Sequence, residues 1–145
     1  MKLKTIIDGN VDERVEIYAK ERTPLVCEIE RLVAGEVQEL IGYRENEIVR
    51  LDISCVDCFF SENNRIFALI GSDRYSVRER LYVIENTVGS AFIRINQSCI
   101  VNVSRIERFE ASFSGALRVI MKCGYKDYIS RRQLKNVKER IGFKL

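Results

Sequence analysis

Short β-forming runs follow one another closely between Val37 and Ser130, each closed by turn chemistry. "VQELIGY" and "EIVRLDI" flank the polar "RENE", and "SCVDCFF" and "RIFALIG" flank "SENN", a good hairpin turn. "RYSV", "AFIRI", "RIERFEA", "ALRVIMK" and "KDYIS" follow, with turns expected at Ser114–Gly115 and at Gly124. Strands this short and this dense, with few helical stretches among them, predict a mainly antiparallel β domain of α+β type with accessory helices.

Three segments have helical periodicity. "TPLVCEIERLVAG" has Thr23 as a cap, Pro24 at the first helical position and Gly35 as a stop, with Leu25, Ile29, Leu32 and Val33 on one face. "RERLYVIENTVG" turns Leu81, Ile84 and Val88 inward and stops at Gly89. "SRRQLKNVKERIG" has the capping-box spacing at Ser130 and Gln133, an apolar face of Leu134, Val137 and Ile141, and a stop at Gly142. Near the N-terminus, "KLKTIID" and "ERVEIYA" read as two short strands around the turn-forming "GNVD". The expected organisation is a small acidic βα segment at residues 1–45 and a β domain at 46–145.

Charge is unevenly placed. Residues 1–50 hold 8 basic and 11 acidic side chains, a balance of −3, and residues 51–145 hold 16 and 10, a balance of +6. From Ser112 onward only Asp127 and Glu139 oppose nine basic residues. A basic C-terminal part beside an acidic N-terminal one points to an anionic partner, or to a solvated basic face. The chain has no histidine, which removes the commonest general base and the commonest metal ligand. Ser98, Ser104 and Ser130 therefore lack an activating imidazole, Glu107 and Glu110 face opposite ways on a strand, and there is no P-loop or dinucleotide fingerprint. No enzymatic activity and no cofactor are expected.

"CVDC", Cys55 to Cys58, has the C-x-x-C spacing, but a zinc site needs four ligands and no second such pair exists. The motif lies in a strand pattern that turns its thiols to opposite faces, so structural thiols and no metal are expected. Five cysteines, an odd number, with no secretory signal or spanning segment predict free thiols in the cytoplasm.

Three polar places carry the recognition chemistry. "FIRINQSCIVN" puts the knuckle Asn96-Gln97-Ser98 between buried runs, and the Gln97 amide both donates and accepts, as reading an adenine edge or a phosphate requires. "SENNR", Ser61 to Arg65, is a second polar loop. Arg131 and Arg132 occupy the first turn of the last helix, where cations oppose the dipole at a cost of about 0.3–1 kcal/mol each. An anion or a base edge would offset that cost. Lys135, Lys138 and Arg140 continue the basic surface.

"FIRINQSCIVNVSRIERF" followed by "YISRRQLKNVKERIG" resembles the signature of LytTR-type DNA-binding domains of bacterial transcription regulators. Phe92, Arg94, Ser98, Val101, Asn102, Ser130, Arg131 and Arg132 fall in step with it; Asn96 departs from it, standing where many members have histidine. The resemblance covers residues 51–145. It implies an elongated, mostly β fold that docks on double-stranded DNA through loops inserted into two successive major grooves. On this chain those regions carry Asn64 and Arg65, Gln97, and Arg132, and the basic helix start adds Arg131 and Lys135 as candidate DNA-binding residues. It also implies a homodimer on repeated half-sites. Many members carry a phosphoacceptor receiver domain, for which residues 1–50 are too short. Some compact relatives are paired with a membrane-embedded protein that restrains them, a partner expected here by analogy alone.

The expected function is a sequence-specific, non-enzymatic transcription regulator. Its rivals are a protein-interaction module with an incidental basic face, a single-stranded RNA reader, and a thiol redox protein. Salt-sensitive duplex binding separates the first rival. Exposed aromatics on a sheet would mark the second, and a depressed thiol pKa the third.

Overall fold

The computed structural model describes residues 2–12, 14–34 and 39–144. The chain divides into two compact units, Met1–Glu36 and Val37–Leu145.

In the first unit, α1 spans Pro24–Ala34, and the Val26 amide is bonded to Thr23 Oγ1 at 3.3 Å, so Thr23 caps as its side chain predicts. Val26 of this helix is buried, whereas Leu25, Leu32 and Val33 are exposed. Gly35, the expected stop, lies outside the described residues. The two short strands expected before α1 are not formed: residues 2–8 and 14–19 pair with nothing in a ladder. Asp8 alone closes a turn there, accepting from Asn10 N at 3.0 Å. An isolated two-stranded hairpin is marginal in water, and these runs have no third strand to complete a sheet. The expected βα segment is thus a helix preceded by irregular backbone.

The second unit holds two antiparallel sheets. The larger has seven strands in the order β2-β1-β5-β4-β3-β7-β6, with β1 Leu40–Arg44, β2 Glu47–Leu51, β3 Cys58–Glu62, β4 Arg65–Ile70, β5 Asp73–Val77, β6 Phe92–Asn96 and β7 Cys99–Asn102. The smaller is β10-β9-β8, with β8 Ile106–Ala111, β9 Leu117–Met121 and β10 Lys126–Tyr128. Helix α2, Leu81–Val88, follows β5, and α3, Arg131–Ile141, follows β10. Strand β1 pairs with both β2 and β5, so residues 40–44 belong to this sheet.

The middle strands are apolar on both faces because both faces are covered. Phe59, Ala68, Phe92 and Ile100 meet Leu81, Ile84 and Val88 of α2 in one core. Their neighbours Cys58, Ile93, Cys99 and Val101 meet Val119 and Met121 of the smaller sheet and Val137 of α3 in the other. Phe60 stacks on Tyr125 across the sheets at 5.2 Å between ring centroids.

Three short Asx-x-Ser turns fix the corners. Asp52 and Asn102 each cap a single 3₁₀ turn, Ile53–Cys55 and Val103–Arg105, by accepting from the amide of the serine two residues on. Asn96 does the same for Ser98 N at 2.7 Å. Such side chains mimic a backbone turn, which is why they recur where strands change direction.

Gly42 on β1 sits where a Cβ would lie 2.8 Å from Leu51 Cδ2 and 2.9 Å from Tyr75 Cβ. Tyr75 Cβ moves only with its backbone, so the strain cannot be relieved by a rotamer change. Gly42→Ala is expected to destabilise the chain by about 1–3 kcal/mol, read as a lower urea midpoint at unchanged slope. An unchanged midpoint would contradict the fit.

Candidate nucleic-acid interface

The sheet register collects the three polar places at one edge. Glu62 pairs with Arg65, leaving a two-residue turn of Asn63 and Asn64 with φ of 52° and 61°. Asparagine tolerates this left-handed region, and the turn matches strand twist. Asn96 pairs with Cys99, leaving Gln97 and Ser98 as the second tip. Phe60 pairs with Cys99, so both tips point the same way, and Ser61 N bonded to Ser98 O at 2.8 Å joins them.

The start of α3 is tied to the same edge. Asn96 Nδ2 donates to Tyr128 O at 2.8 Å, and Ser130 N donates to Ile95 O at 2.8 Å. Arg94, Asn96, Gln97, Ser98, Ser130, Arg132 and Gln133 line one shallow concavity. Arg94 braces it from below: its guanidinium donates to Asn96 O at 3.1 Å and Gln97 O at 2.9 Å and pairs with Glu85 of α2. The Gln97 side chain is left facing solvent while its backbone is held.

The expected capping box is not formed. Ser130 is the N-cap of α3 but makes no side-chain capping bond; the Gln133 and Leu134 amides bond to its carbonyl instead. The first turn of α3 holds no acidic residue, so Arg131 and Arg132 stand there uncompensated. Gly142 ends the helix with φ of 89°, its amide bonded to Lys138 O at 2.8 Å.

The pairing of the arginines sharpens the picture. Arg44, Arg50, Arg74, Arg94, Arg108 and Arg118 each hold a carboxylate. Arg140 donates to the carbonyls of Ser90 and Phe92, and burial lowers its pKa. Among the described residues, the side chains of Arg65, Arg131 and Arg132 make neither a hydrogen bond nor an ion pair. All three are exposed, as are Asn64, Gln97 and Lys135. Asn64, Arg65 and Gln97 thus lie at the two tips, and Arg131, Arg132 and Lys135 in the first five residues of α3, while Lys138 and Arg140 lie farther along that helix. Sequence reasoning missed the bracing roles of Arg94 and Asn96, although the Asn-x-Ser spacing at Asn96 signals a local turn.

The thiols lie elsewhere. Cys55 ends the first 3₁₀ turn and only Cys58 is in a strand, so the pair does not share one extended run as expected. Contact with Cys99 and burial push the Cys58 thiol well above its ordinary pKa, which suppresses the thiolate. Among the described residues no three of Cys, Asp and Glu gather in a way that could hold a metal ion.

Residues 46–142 match the model of the LytTr DNA-binding domain family. The chain belongs to the LytTr DNA-binding domain family. Uncharacterized HTH-type transcriptional regulators of Staphylococcus aureus are similar over nearly the whole chain. The protein of strain NCTC 8325 is 33% identical over 144 residues, covering 97% of this chain and 98% of that one. Its counterpart in strain MW2 is 32% identical over the same share of each. In fold, the chain resembles the LytTr DNA-binding domain of a Bacillus cereus protein described as a methyl-accepting/DNA response regulator. That likeness has a TM-score of 0.69 at 16% identity, over 74% of this chain and 100% of that one. Among the described residues of this LytTr domain no two helices follow one another across a short turn, since α2 and α3 are separated by five strands. A helix-turn-helix reading mode has no counterpart in this part of the fold.

Proposed function

We propose that this LytTr protein is a non-enzymatic, sequence-specific transcription regulator that grips duplex DNA with the edge formed by its two hairpin tips and the start of α3. The observation that carries this reading is the convergence of the exposed Gln97 amide with the unpaired guanidinium groups of Arg65, Arg131 and Arg132 on one hydrogen-bonded edge. Guanidinium forks suit guanine edges and phosphates, and a carboxamide suits adenine. Asn64 and Arg65 serve the first tip, and Lys135 adds a point charge one turn along α3.

Two copies on repeated half-sites, a cytoplasmic location and a membrane-embedded restraining partner are the finer parts of the proposal. No helix among the described residues is long and apolar enough to cross a membrane. Leu3, Ile6, Ile7 and Tyr18 are each more than 70% exposed in the acidic first unit, which favours protein contact rather than DNA contact for that segment.

The test is titration of the chain against a duplex from upstream of its own gene and a scrambled duplex at two salt concentrations. Tighter binding to the former, with affinity for both falling as salt rises, is expected. Salt-insensitive binding, or equal affinity for both at every salt concentration, would overturn sequence-specific recognition.

A further inference from the structure

Two more arginines share the property that marks the candidate interface. Among the described residues, the side chains of Arg78 and Arg80 also make no ion pair and no hydrogen bond, and both are exposed. They follow β5 on the lead into α2, in the stretch Val77-Arg78-Glu79-Arg80-Leu81.

The register fixes where they stand. Val77 pairs with Ile66, so the next step of the antiparallel ladder sets Arg78 opposite Arg65, at the same end of the sheet as both hairpin tips. Both side chains lie on the sheet face of Phe67 and Tyr43: Arg65 is 5.3 Å from the Phe67 ring centroid and Arg78 is 4.0 Å from that of Tyr43. Arg74, on the same face, is neutralised by Glu62. Arg65 and Arg78 are not neutralised. Like charges directly opposite one another on a sheet destabilise it, and an anion between them removes the penalty.

Arg80 has extended backbone, with φ of −73° and ψ of 153°. The chain bends at Glu79 between the two arginines, so both stand on one exposed three-residue lead into α2. The same order of elements occurs twice in this unit: two strands, a 3₁₀ turn, three strands, a helix. In the second round Ser130 is the N-cap and Arg131 and Arg132 open the helix itself; in the first Arg80 is the N-cap and Arg78 stands two residues before it, so each helix start carries two arginines.

We propose that Arg78 and Arg80 form a further phosphate-binding element that extends the DNA-contacting edge past the first hairpin tip. This rests on the duplex-binding reading above and adds to its footprint. With strands about 4.8 Å apart, the line of strand ends from β5 to β6 runs ~19 Å before α3 is reached. Arg78 and Arg80 stand at the β5 end of that line. They carry no sequence information and act by charge, positioning the tips on the duplex.

The experiment compares the full wild-type chain with an Arg78→Gln, Arg80→Gln double variant. Both are titrated over a range of salt against a mixed-sequence duplex of about three helical turns. The expected result is weaker binding and a slope of log affinity against log salt that is shallower by about 0.9 for each phosphate no longer neutralised. Arg78→Lys, Arg80→Lys should keep the slope, since an ammonium still meets a phosphate as a point charge. A control pair, Lys122→Gln with Lys126→Gln, removes the same charge near the turn between β9 and β10 and should leave the slope unchanged. A melting curve confirms that each variant is folded; if the double variant is not, Arg80→Gln alone, at an exposed cap position, is read in its place. A wild-type slope in the folded Gln variant, or an equal change in the control pair, would overturn the proposal while leaving duplex binding intact. Failure of the wild-type chain to bind the duplex at low salt would overturn both readings.

Discussion

Replacing Gln97 and Arg132 together with alanine is expected to remove most of the preference for the operator over a scrambled duplex. Each side chain is exposed on the edge, and the two share no hydrogen bond. Each good base contact is worth about 1–3 kcal/mol of discrimination, and independent contacts add, giving ~2–6 kcal/mol for the pair. Gln97 is neutral, so Gln97→Ala should spare non-specific affinity and the salt slope. Arg132→Ala should also flatten the slope if its guanidinium meets a phosphate. Lys135→Ala should weaken both duplexes by the same factor. Titration of each variant against both duplexes at two salt concentrations resolves these terms. Operator binding like wild type by the double variant would refute loop readout, and the fold would stand unaffected.

Asn102→Ala should unfold the domain more readily than any surface change, by about 2–4 kcal/mol. Asn102 is 2% exposed, at the point where β7 leaves the large sheet for the small one. Its Nδ2 donates to Val56 O at 2.9 Å, and its Oδ1 accepts from Ser104 N at 3.1 Å and Ser104 Oγ at 2.8 Å. One side chain thus closes its own turn and holds the turn after β2. Alanine would strand a buried carbonyl and leave the Ser104 amide without its acceptor, and unmade buried bonds carry the full desolvation penalty. Asn102→Asp keeps the acceptor but loses the donor and places a charge beside Val56 O, so it should be at least as damaging. Urea unfolding monitored by tyrosine fluorescence measures both. A loss under ~0.5 kcal/mol for Asn102→Ala would show that the corner is held by other contacts.

The local devices were legible in the sequence. The Asn63–Asn64 turn, the inward face of Leu81, Ile84 and Val88, the Thr23 cap and the left-handed stop at Gly142 stand as short-range chemistry dictates. The polar knuckle at Gln97 and the arginines at the start of α3 were legible for the same reason, because exposed polar residues between apolar runs need no partner to be noticed. Where a distant partner decides, the sequence was silent. The runs at residues 2–8 and 14–19 have strand composition but no third strand, and they stay irregular. Ser130 and Gln133 have the capping-box spacing, but Ser130 N is bonded to Ile95 O and no side-chain cap forms. The double burial of Cys99, Ile100 and Val101 follows from a second sheet on one face and α2 on the other, which no alternation pattern can announce. The meeting of residues 64, 97 and 132 on one edge rests on strand order and register, set by which apolar faces can be buried together. That is a property of the packed chain, because hydrogen bonds such as Asn96 to Tyr128 join residues far apart in sequence and exist only once both sheets have formed.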